Sequence, residues 1–196
     1  MIIVVTPDQA ISREHAIIRQ LFEAGLQCFH IRKYGLPDTE LKAYLDAIDP
    51  AYHQRLVLHT HYHLAKAYGI NRLHFREEDR LADRHMDYKN EYRLSTSVHD
   101  IAAFNHLDTT WEYAFLSPMY PSISKQGYGN EHTALAMLAQ RNNRQCQLIG
   151  LGGIDAHNFK EVFMCGADGI ALLGGIWQAP DPVVVYKTIQ SAYEQL

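Results

Sequence analysis

Short apolar runs rich in β-branched residues alternate with segments of helical periodicity along the whole chain. Runs of this length and composition are typical of buried strands. The pattern predicts eight strands, which in chain order are Ile2–Val5, Cys28–Ile31, Leu56–Leu58, Arg72–Phe75, Arg93–Val98, Tyr113–Leu116, Gln147–Leu151 and Gly169–Leu173.

Helical patterns occupy several of the connections between these strands. One begins at Ser12 and ends at Gly25. A second follows Pro37, and a short one lies around Leu64–Tyr68. The last follows Pro182 and runs nearly to the end of the chain. Glycine after the last apolar position and proline at the first helical position are common helix boundaries.

Strands that alternate with helices require a parallel sheet, and eight such units predict a closed (β/α)₈ barrel. A chain of 196 residues gives roughly 24 residues per unit, which is close to the minimum for this repeat. A doubly wound open sheet is the alternative on periodicity alone. We therefore predict an α/β protein with a single TIM-barrel domain over residues 1–196, and in either fold ligands bind beyond the carboxyl ends of the strands.

Composition narrows the class of protein. Hydrophobic residues make up 47% and charged residues 20% of the chain, and 18 basic against 22 acidic side chains give a net charge of −4. This is a globular composition, and the lack of a basic tract argues against nucleic acid as a partner. The apolar run at the N-terminus is too short for a signal peptide or a membrane span. Because Cys28, Cys146 and Cys165 form no paired motif, we expect a cytoplasmic protein with buried free thiols.

Two consecutive strand-to-helix connections near the C-terminus carry paired glycines. Gly152 and Gly153 follow the seventh predicted strand, and Gly174 and Gly175 follow the eighth. Glycines let backbone N–H groups at a helix N-terminus approach a ligand closely, which suits a phosphate dianion. In TIM barrels this site commonly follows strands seven and eight. The sequence therefore predicts a phosphate site here, the alternative being glycines that serve only tight turns.

The loop that leaves the sixth strand, residues 117–127, combines hydroxyl groups with a cation. Ser122 and Ser124 lie directly before Lys125. Hydroxyl donors and a point charge suit a second phosphoryl group. A solvated loop is the alternative, and the position at the end of a strand favours the functional interpretation.

Charged residues follow the second and fourth strands. Arg32 stands at the end of the second strand, beside His30 and Lys33, where its guanidinium would face the barrel mouth. The acidic stretch Glu77–Asp79 follows the fourth strand and offers oxygen ligands for Mg²⁺. The alternatives are a structural ion pair between Arg32 and this stretch, or a solvated run of charge.

Histidines follow the third and fifth strands. His59, His61 and His63 occupy alternate positions, so in an extended segment they would share one face and could bind Zn²⁺ or Ni²⁺. A helix starting at this point would instead splay them apart. His99, directly after the fifth strand, is a candidate proton carrier or an ordinary residue at a helix start.

The order of these motifs resembles the thiamin phosphate synthases and the related thiazole tautomerases of thiamin biosynthesis. Five segments between Ile2 and Ile176 carry the resemblance, namely Phe29–Arg32, Ser97–His99, Tyr113–Lys125, Gly152–Ile154 and Gly166–Gly169. It implies a TIM barrel that joins hydroxymethylpyrimidine pyrophosphate to a thiazole phosphate and releases pyrophosphate, with Mg²⁺ as cofactor. In that chemistry the pyrophosphate leaves first and the thiazole nitrogen captures the pyrimidine cation. The leaving anion must therefore be stabilised in a site closed to water.

The resemblance also implies roles for individual residues. Arg32 and Lys125 would hold pyrophosphate, Ser122 and Ser124 match the threonines of a T-x-T-K loop, and Asp79 matches a Mg²⁺ ligand. By the same resemblance Ser97 matches the serine after strand five, and Gly152 with the backbone at Leu173 and Gly174 would hold the thiazole phosphate. Further candidate substrate-binding residues are His30, His59 and Gly153.

This chain departs from the synthase pattern in the half of the site that binds metal and pyrophosphate. The family reads Q-L-R-E-K where this chain has residues 30–34, and N-D where it has His59 and Thr60, so Thr60 removes one Mg²⁺ carboxylate. Arg76 and Lys33 are the candidates to replace the missing lysine, and Glu77 or Glu78 the missing carboxylate.

The same departures are similar to the tautomerases, which carry H-I-R after strand two. The tautomerases place a catalytic histidine after strand six, however, and that position is Pro118 here. We therefore expect synthase activity. The alternatives are a tautomerase that uses His99 or His30 as proton carrier, and a non-catalytic protein that binds thiazole phosphate.

Overall fold

Eight parallel strands close into a barrel in chain order in the computed structural model, which describes residues 1–121 and 133–196. The strands are β1 Ile2–Val5, β2 Phe29–Ile31, β3 Leu56–Leu58, β4 Arg72–Phe75, β5 Arg93–Val98, β6 Trp111–Leu116, β7 Gln147–Leu151 and β8 Gly169–Leu172. Pairing of Ile2 with Ile170 and of Val4 with Leu172 joins the first strand to the last. The prediction of a TIM barrel is confirmed, and the open-sheet alternative is wrong.

Helices of very different length connect the strands. In chain order they are α1 Glu14–Glu23, α2 Asp38–Asp46, α3 Glu77–Leu81, α4 Ile101–Asn105, α5 Phe159–Met164, α6 Gly174–Trp177 and α7 Pro182–Tyr193. The predicted helix at Leu64–Tyr68 is wrong, because a single 3₁₀ turn at Tyr62–Leu64 occupies that connection. Helix α1 begins at Glu14 and not at Ser12, since Arg13 has a left-handed backbone with φ of 61°.

Side-chain alternation along the strands separates two buried layers. The residues that point outward pack against the helices, as Leu73 and Phe75 of β4 do. The barrel interior holds a separate apolar cluster of Ile3, Val5, Cys28, Val57, Tyr113, Phe115, Ile149 and Ala171. Because the side-chain period of a strand is two, the residues next in line on the inward faces of β2 and β4 are His30 and His74.

Two of the three cysteines agree with the sequence prediction. Cys28 and Cys146 are buried and free, whereas Cys165 is exposed and also free. Cys165 follows the end of α5, where the chain turns through Gly166 at the surface. The prediction that all three thiols are buried is therefore wrong for Cys165. Among the described residues, every helix is too short or too polar to cross a membrane.

Candidate functional site

A cavity of about 610 Å³ opens at the carboxyl ends of the strands. TIM barrels bind their ligands at this end. The predicted site residues that line it are Arg32, His59, Ser97, His99, Gly152, Gly153, Leu173 and Gly174. Lining residues for which no role was predicted include Tyr34, His74, Phe115 and Ser117. His30 and Asp79 do not line the cavity and lie buried.

One wall of the cavity is formed by the loop that follows β7. Gly152 and Gly153 have positive φ angles of 99° and 66°, a conformation that glycine adopts without strain. A Cβ atom on Gly153 would lie 2.4 Å from the carbonyl oxygen of Pro121. The amide of Tyr120 donates a hydrogen bond of 3.0 Å to the Gly152 carbonyl, which holds the β6 loop against the glycines. Turn geometry and close packing therefore both require glycine here.

The start of α6 completes the same wall. A Cβ atom on Gly175 would lie 2.2 Å from the carbonyl oxygen of Ile154, so the two glycine-bearing connections pack directly on each other. A glycine has no side chain, and the atoms of Gly152, Gly153 and Gly174 that line the cavity are backbone atoms. The two predicted glycine units thus meet at one cavity. Binding of phosphate there stays a prediction.

Two guanidinium groups also line the cavity. Arg32 follows β2, and its buried Nε atom has no hydrogen-bond partner among the described residues. Its own amide donates to Thr6 Oγ1 at 2.8 Å, which fixes the backbone at this point. Arg76 follows β4, and its guanidinium lies over the Tyr34 ring, 4.9 Å from the ring centroid. An unsatisfied buried donor favours an acceptor from a ligand.

The acidic stretch after β4 pairs with arginines other than Arg32, so the alternative of an ion pair with Arg32 is wrong. Arg76 contacts Glu78 at 2.6 Å and Asp79 at 3.0 Å, and Arg84 contacts the other oxygen of Asp79 at 2.6 Å. Asp79 is only 5% exposed. Both of its oxygens are therefore occupied by guanidinium groups.

This arrangement does not fit a magnesium site among the described residues. Mg²⁺ requires oxygen ligands in a near-octahedral array and usually takes one or two free carboxylates. Asp79 is bound by two cations, and Thr60 stands where the family has its second carboxylate. Glu77 is likewise engaged by Arg80 at 3.1 Å.

His99 stands at the cavity edge in contact with a carboxylate. Its Nδ1 atom lies 2.8 Å from Glu77 Oε2, and half of its side chain is exposed. A carboxylate bound to one ring nitrogen fixes the tautomer and the orientation of an imidazole, and leaves the other nitrogen free to exchange a proton. The His99–Glu77 pair thus has the geometry of a general acid–base catalyst. Ser97 lines the cavity nearby and contacts His74 Nε2 at 2.9 Å.

Lys33 points away from the cavity. Its ammonium group lies 3.0 Å from Glu14 Oε2, with Lys33 2% and Glu14 5% exposed. The same carboxylate accepts a hydrogen bond of 2.7 Å from the Tyr44 hydroxyl. The interpretation that Lys33 replaces the missing lysine of the family is therefore wrong, because its ammonium group forms an ion pair with Glu14 between α1 and α2.

Three buried histidines meet at the floor of the cavity: His59 and His74 line it, and His30 contacts both of them without lining it. His30 Nδ1 lies 2.8 Å from His59 Nε2, and His30 Nε2 lies 2.7 Å from the Tyr113 hydroxyl. His59 Nδ1 lies 3.2 Å from the Tyr34 hydroxyl. His74 contacts the hydroxyl of Ser95 through Nδ1 at 2.9 Å. One ring nitrogen from each of His30, His59 and His74 lies within 4.8 Å of the others.

Burial keeps these three imidazoles neutral. Desolvation lowers the pKa of His74 to about 3. Burial is also the largest cause that holds the pKa values of His30 and His59 well below the ordinary value, and the neighbouring His74 adds to it. His74 was missed in the sequence, although its place on the inward face of β4 could have indicated it.

His61 and His63 do not share a face with His59. A left-handed backbone at His61 turns the chain, and both side chains lie against Asp38, at 3.3 and 2.8 Å. The hypothesis of a metal site made of His59, His61 and His63 is therefore wrong, because the turn after β3 splays them apart.

The predicted phosphoryl ligands Ser122, Ser124 and Lys125 lie outside the described residues.

The fold and the site together define a class: a TIM barrel whose cavity combines a glycine-lined wall after β7 and β8 with cationic side chains across the mouth. Sequence comparison specifies the family. The sequence model of the family described as "Thiamine monophosphate synthase" matches residues 2–176. The chain belongs to this family.

Individual relatives are distant but cover almost the whole chain. A thiamine-phosphate synthase of Anoxybacillus flavithermus is 25% identical over 190 residues, which cover 92% of this chain and 86% of that protein. A putative thiamine-phosphate synthase of Geobacter sulfurreducens is 26% identical over 172 residues, 85% of this chain and 81% of the relative.

Solved structures support the fold. The thiamine phosphate pyrophosphorylase of Bacteroides thetaiotaomicron has a TM-score of 0.78 at 23% identity and covers 98% of this chain and 97% of its own. That of Pyrococcus furiosus has a TM-score of 0.81 at 16% identity, covering 99% and 95%.

Proposed function

We propose that this protein is a thiamin phosphate synthase, which couples hydroxymethylpyrimidine pyrophosphate to a thiazole phosphate and releases pyrophosphate. One observation carries the proposal: a single cavity is lined both by the glycines after β7 and β8 and by a guanidinium with an unsatisfied donor. Two separate places for an anion suit two phosphorylated substrates. A volume of about 610 Å³ also lies in the range of cavities that enclose ligands of this size.

The glycine wall would bind the thiazole phosphate. Backbone N–H groups next to the start of a helix favour an anion, and the absence of side chains lets a phosphate approach closely. The close packing around Gly153 and Gly175 keeps this wall rigid. A rigid wall fixes the thiazole nitrogen relative to the pyrimidine, and such positioning is a large part of catalysis in bimolecular reactions.

Arg32 would hold the pyrophosphate, assisted by Nη2 of Arg76, since Glu78 and Asp79 contact only Nη1 and Nε of that guanidinium among the described residues. The bond between the pyrimidine methylene carbon and the pyrophosphate oxygen breaks, and its electron pair leaves with the oxygen. Guanidinium groups stabilise the charge that develops there, because they donate charge-assisted hydrogen bonds to the leaving oxygens. The lone pair of the thiazole nitrogen then forms the new bond to the methylene carbon.

Supplying both substrates and measuring thiamin phosphate tests the proposal. Formation of thiamin phosphate with stoichiometric pyrophosphate is expected. Arg32→Gln should lower kcat by roughly 10²-fold, the usual effect of removing one donor to a developing charge. Arg19→Gln is the matched control, because Arg19 is exposed and contacts only Glu23 among the charged residues described. Absence of product, or equal activity of the Arg32 and Arg19 variants, would contradict the proposal.

A second candidate is tautomerisation of a thiazole phosphate without a pyrimidine substrate. The contact between His99 and Glu77 favours it, as does the occupation of Asp79 by two arginines. This function predicts exchange of a carbon-bound proton of the thiazole phosphate with D₂O, measured by NMR and lost in His99→Asn. Binding of thiazole phosphate with neither reaction would indicate the non-catalytic alternative.

A further inference from the structure

The buried histidine cluster of His30, His59 and His74 is used by neither reaction as a source of charge, and its position needs another explanation. The interior of a TIM barrel is normally filled by branched apolar side chains. Three adjacent imidazoles there each require hydrogen-bond partners in a buried environment. Their exposed fractions are 0%, 4% and 1%. We propose that His30, His59 and His74 bind one transition-metal ion of the zinc class at the floor of the cavity.

The outer nitrogens of the cluster are already held. His30 Nε2 contacts Tyr113, His59 Nδ1 contacts Tyr34, and His74 Nδ1 contacts Ser95. Histidines that bind a metal almost always donate their second N–H to an oxygen of the protein, which fixes the tautomer. Each of the three histidines therefore has the outer partner that a metal ligand needs.

The direction of one of these hydrogen bonds can be assigned. Ser95 Oγ donates its hydrogen to the Leu73 carbonyl at 3.3 Å. It therefore accepts from His74 Nδ1–H, and the lone pair of neutral His74 is on Nε2, which faces Ser97 and the cavity. A metal ion bound to this nitrogen would replace the Ser97 hydroxyl.

The remaining inner nitrogens face each other. His30 Nδ1 and His59 Nε2 are 2.8 Å apart and share one hydrogen. Two nitrogens bound to a tetrahedral zinc ion at 2.0–2.1 Å lie about 3.3 Å apart. Metal binding thus requires the two nitrogens to move apart by about half an ångström, with the ring hydrogens on the outer nitrogens, where Tyr113 and Tyr34 accept them.

The third ligand requires a larger adjustment. The rings of His59 and His74 are stacked, 4.2 Å between centroids at 22°, and a metal ion lies in the plane of each imidazole that binds it. The His74 ring therefore turns about its Cβ–Cγ bond when the ion binds. The cavity beside His74 and Ser97 provides the space, and it also leaves the fourth coordination position open toward a ligand.

The three imidazole nitrogens determine which metal ions this site can bind. Three imidazole nitrogens without a carboxylate suit Zn²⁺, Co²⁺, Ni²⁺ or Cu²⁺ and not Mg²⁺, which requires oxygen ligands.

Titration of the chelator-treated full chain with Co²⁺ and Zn²⁺ tests this site. We expect one ion per chain with a micromolar or lower Kd, visible Co²⁺ absorption typical of four-coordinate geometry, and displacement of Co²⁺ by Zn²⁺. His74→Ala should weaken binding at least 100-fold. Ser95→Ala, which removes only an outer partner, should weaken it by 10- to 100-fold and keeps the test valid if His74→Ala does not fold.

The matched control is the double variant His61→Ala/His63→Ala, which removes the two surface histidines beside Asp38. It should bind Co²⁺ as the original chain does. Failure to bind one ion at 100 µM Co²⁺ or Zn²⁺ would overturn the proposal. So would loss of binding in the surface double variant with full binding in the Ser95 variant, since that result would locate the ion at Asp38.

Discussion

Replacement of Lys33 distinguishes a structural from a catalytic lysine in this barrel. The ammonium group lies 3.0 Å from Glu14, and Lys33 is 2% and Glu14 5% exposed. Lys33→Met keeps the length of the side chain and removes the charge. The carboxylate of Glu14 then stays buried and, within residues 1–121 and 133–196, accepts hydrogen bonds only from Tyr44 at 2.7 Å and the amide of Ile11 at 3.3 Å.

The expected loss of stability in Lys33→Met follows from the burial of both charges. Removing one partner of a buried ion pair lowers the free energy of unfolding by about 3–5 kcal/mol, mostly because the other charge is left uncompensated. The double variant Lys33→Met/Glu14→Gln removes that charge as well and keeps an oxygen for Tyr44. It should therefore be about 2 kcal/mol more stable than Lys33→Met alone.

Urea unfolding followed by tryptophan fluorescence measures these differences, and pyrophosphate titration measures the effect on the cavity. Lys42→Met is the control, since Lys42 is exposed and its loss should change stability by less than about 0.5 kcal/mol. All variants should bind pyrophosphate with unchanged affinity. If Lys33→Met were as stable as Lys42→Met but bound pyrophosphate at least tenfold more weakly, the assignment of Lys33 to the structural layer would be wrong.

Two further predictions concern the glycine wall and the thiols. Gly153→Ala should weaken binding of thiazole phosphate at least tenfold, because the added Cβ meets Pro121 at 2.4 Å, whereas Gly35→Ala, with nothing within 4 Å, should not; equal affinities in a calorimetric titration would contradict the packing described. Ellman's reagent at pH 8 should modify one thiol per folded chain, the exposed Cys165, and all three cysteines in urea. Burial raises the pKa of Cys146 to about 12 and also raises that of Cys28, so a second rapidly reacting thiol in the folded chain would refute this.

The strands and the barrel could be predicted from the sequence because each strand is a buried apolar run. Five of the eight predicted strands have the same bounds in the structure, and the others differ only at one end, as β6 does by starting at Trp111. Connections were predicted less well. The segment after β3 has apolar residues at helical spacing, but the left-handed His61 and Gly69 leave room for only one 3₁₀ turn.

The candidate site was predictable where backbone determines it. The glycine pairs after β7 and β8 indicate tight turns in the sequence itself, and the structure brings both pairs to one cavity. Side-chain pairing was not predictable, because it depends on distances between different loops. Arg76 and Arg84 reach Asp79, Lys33 turns to Glu14, and His74 joins His30 across the barrel interior.

A crystal structure of the protein soaked with thiazole phosphate tests the central claim most directly. We expect phosphate density against the glycine wall, with backbone amides of Gly153 and Gly174 about 2.9 Å from the phosphate oxygens. Phosphate density at Arg32 with an empty glycine wall, or none in the cavity at saturating ligand, would contradict the claim that this wall is the phosphate site.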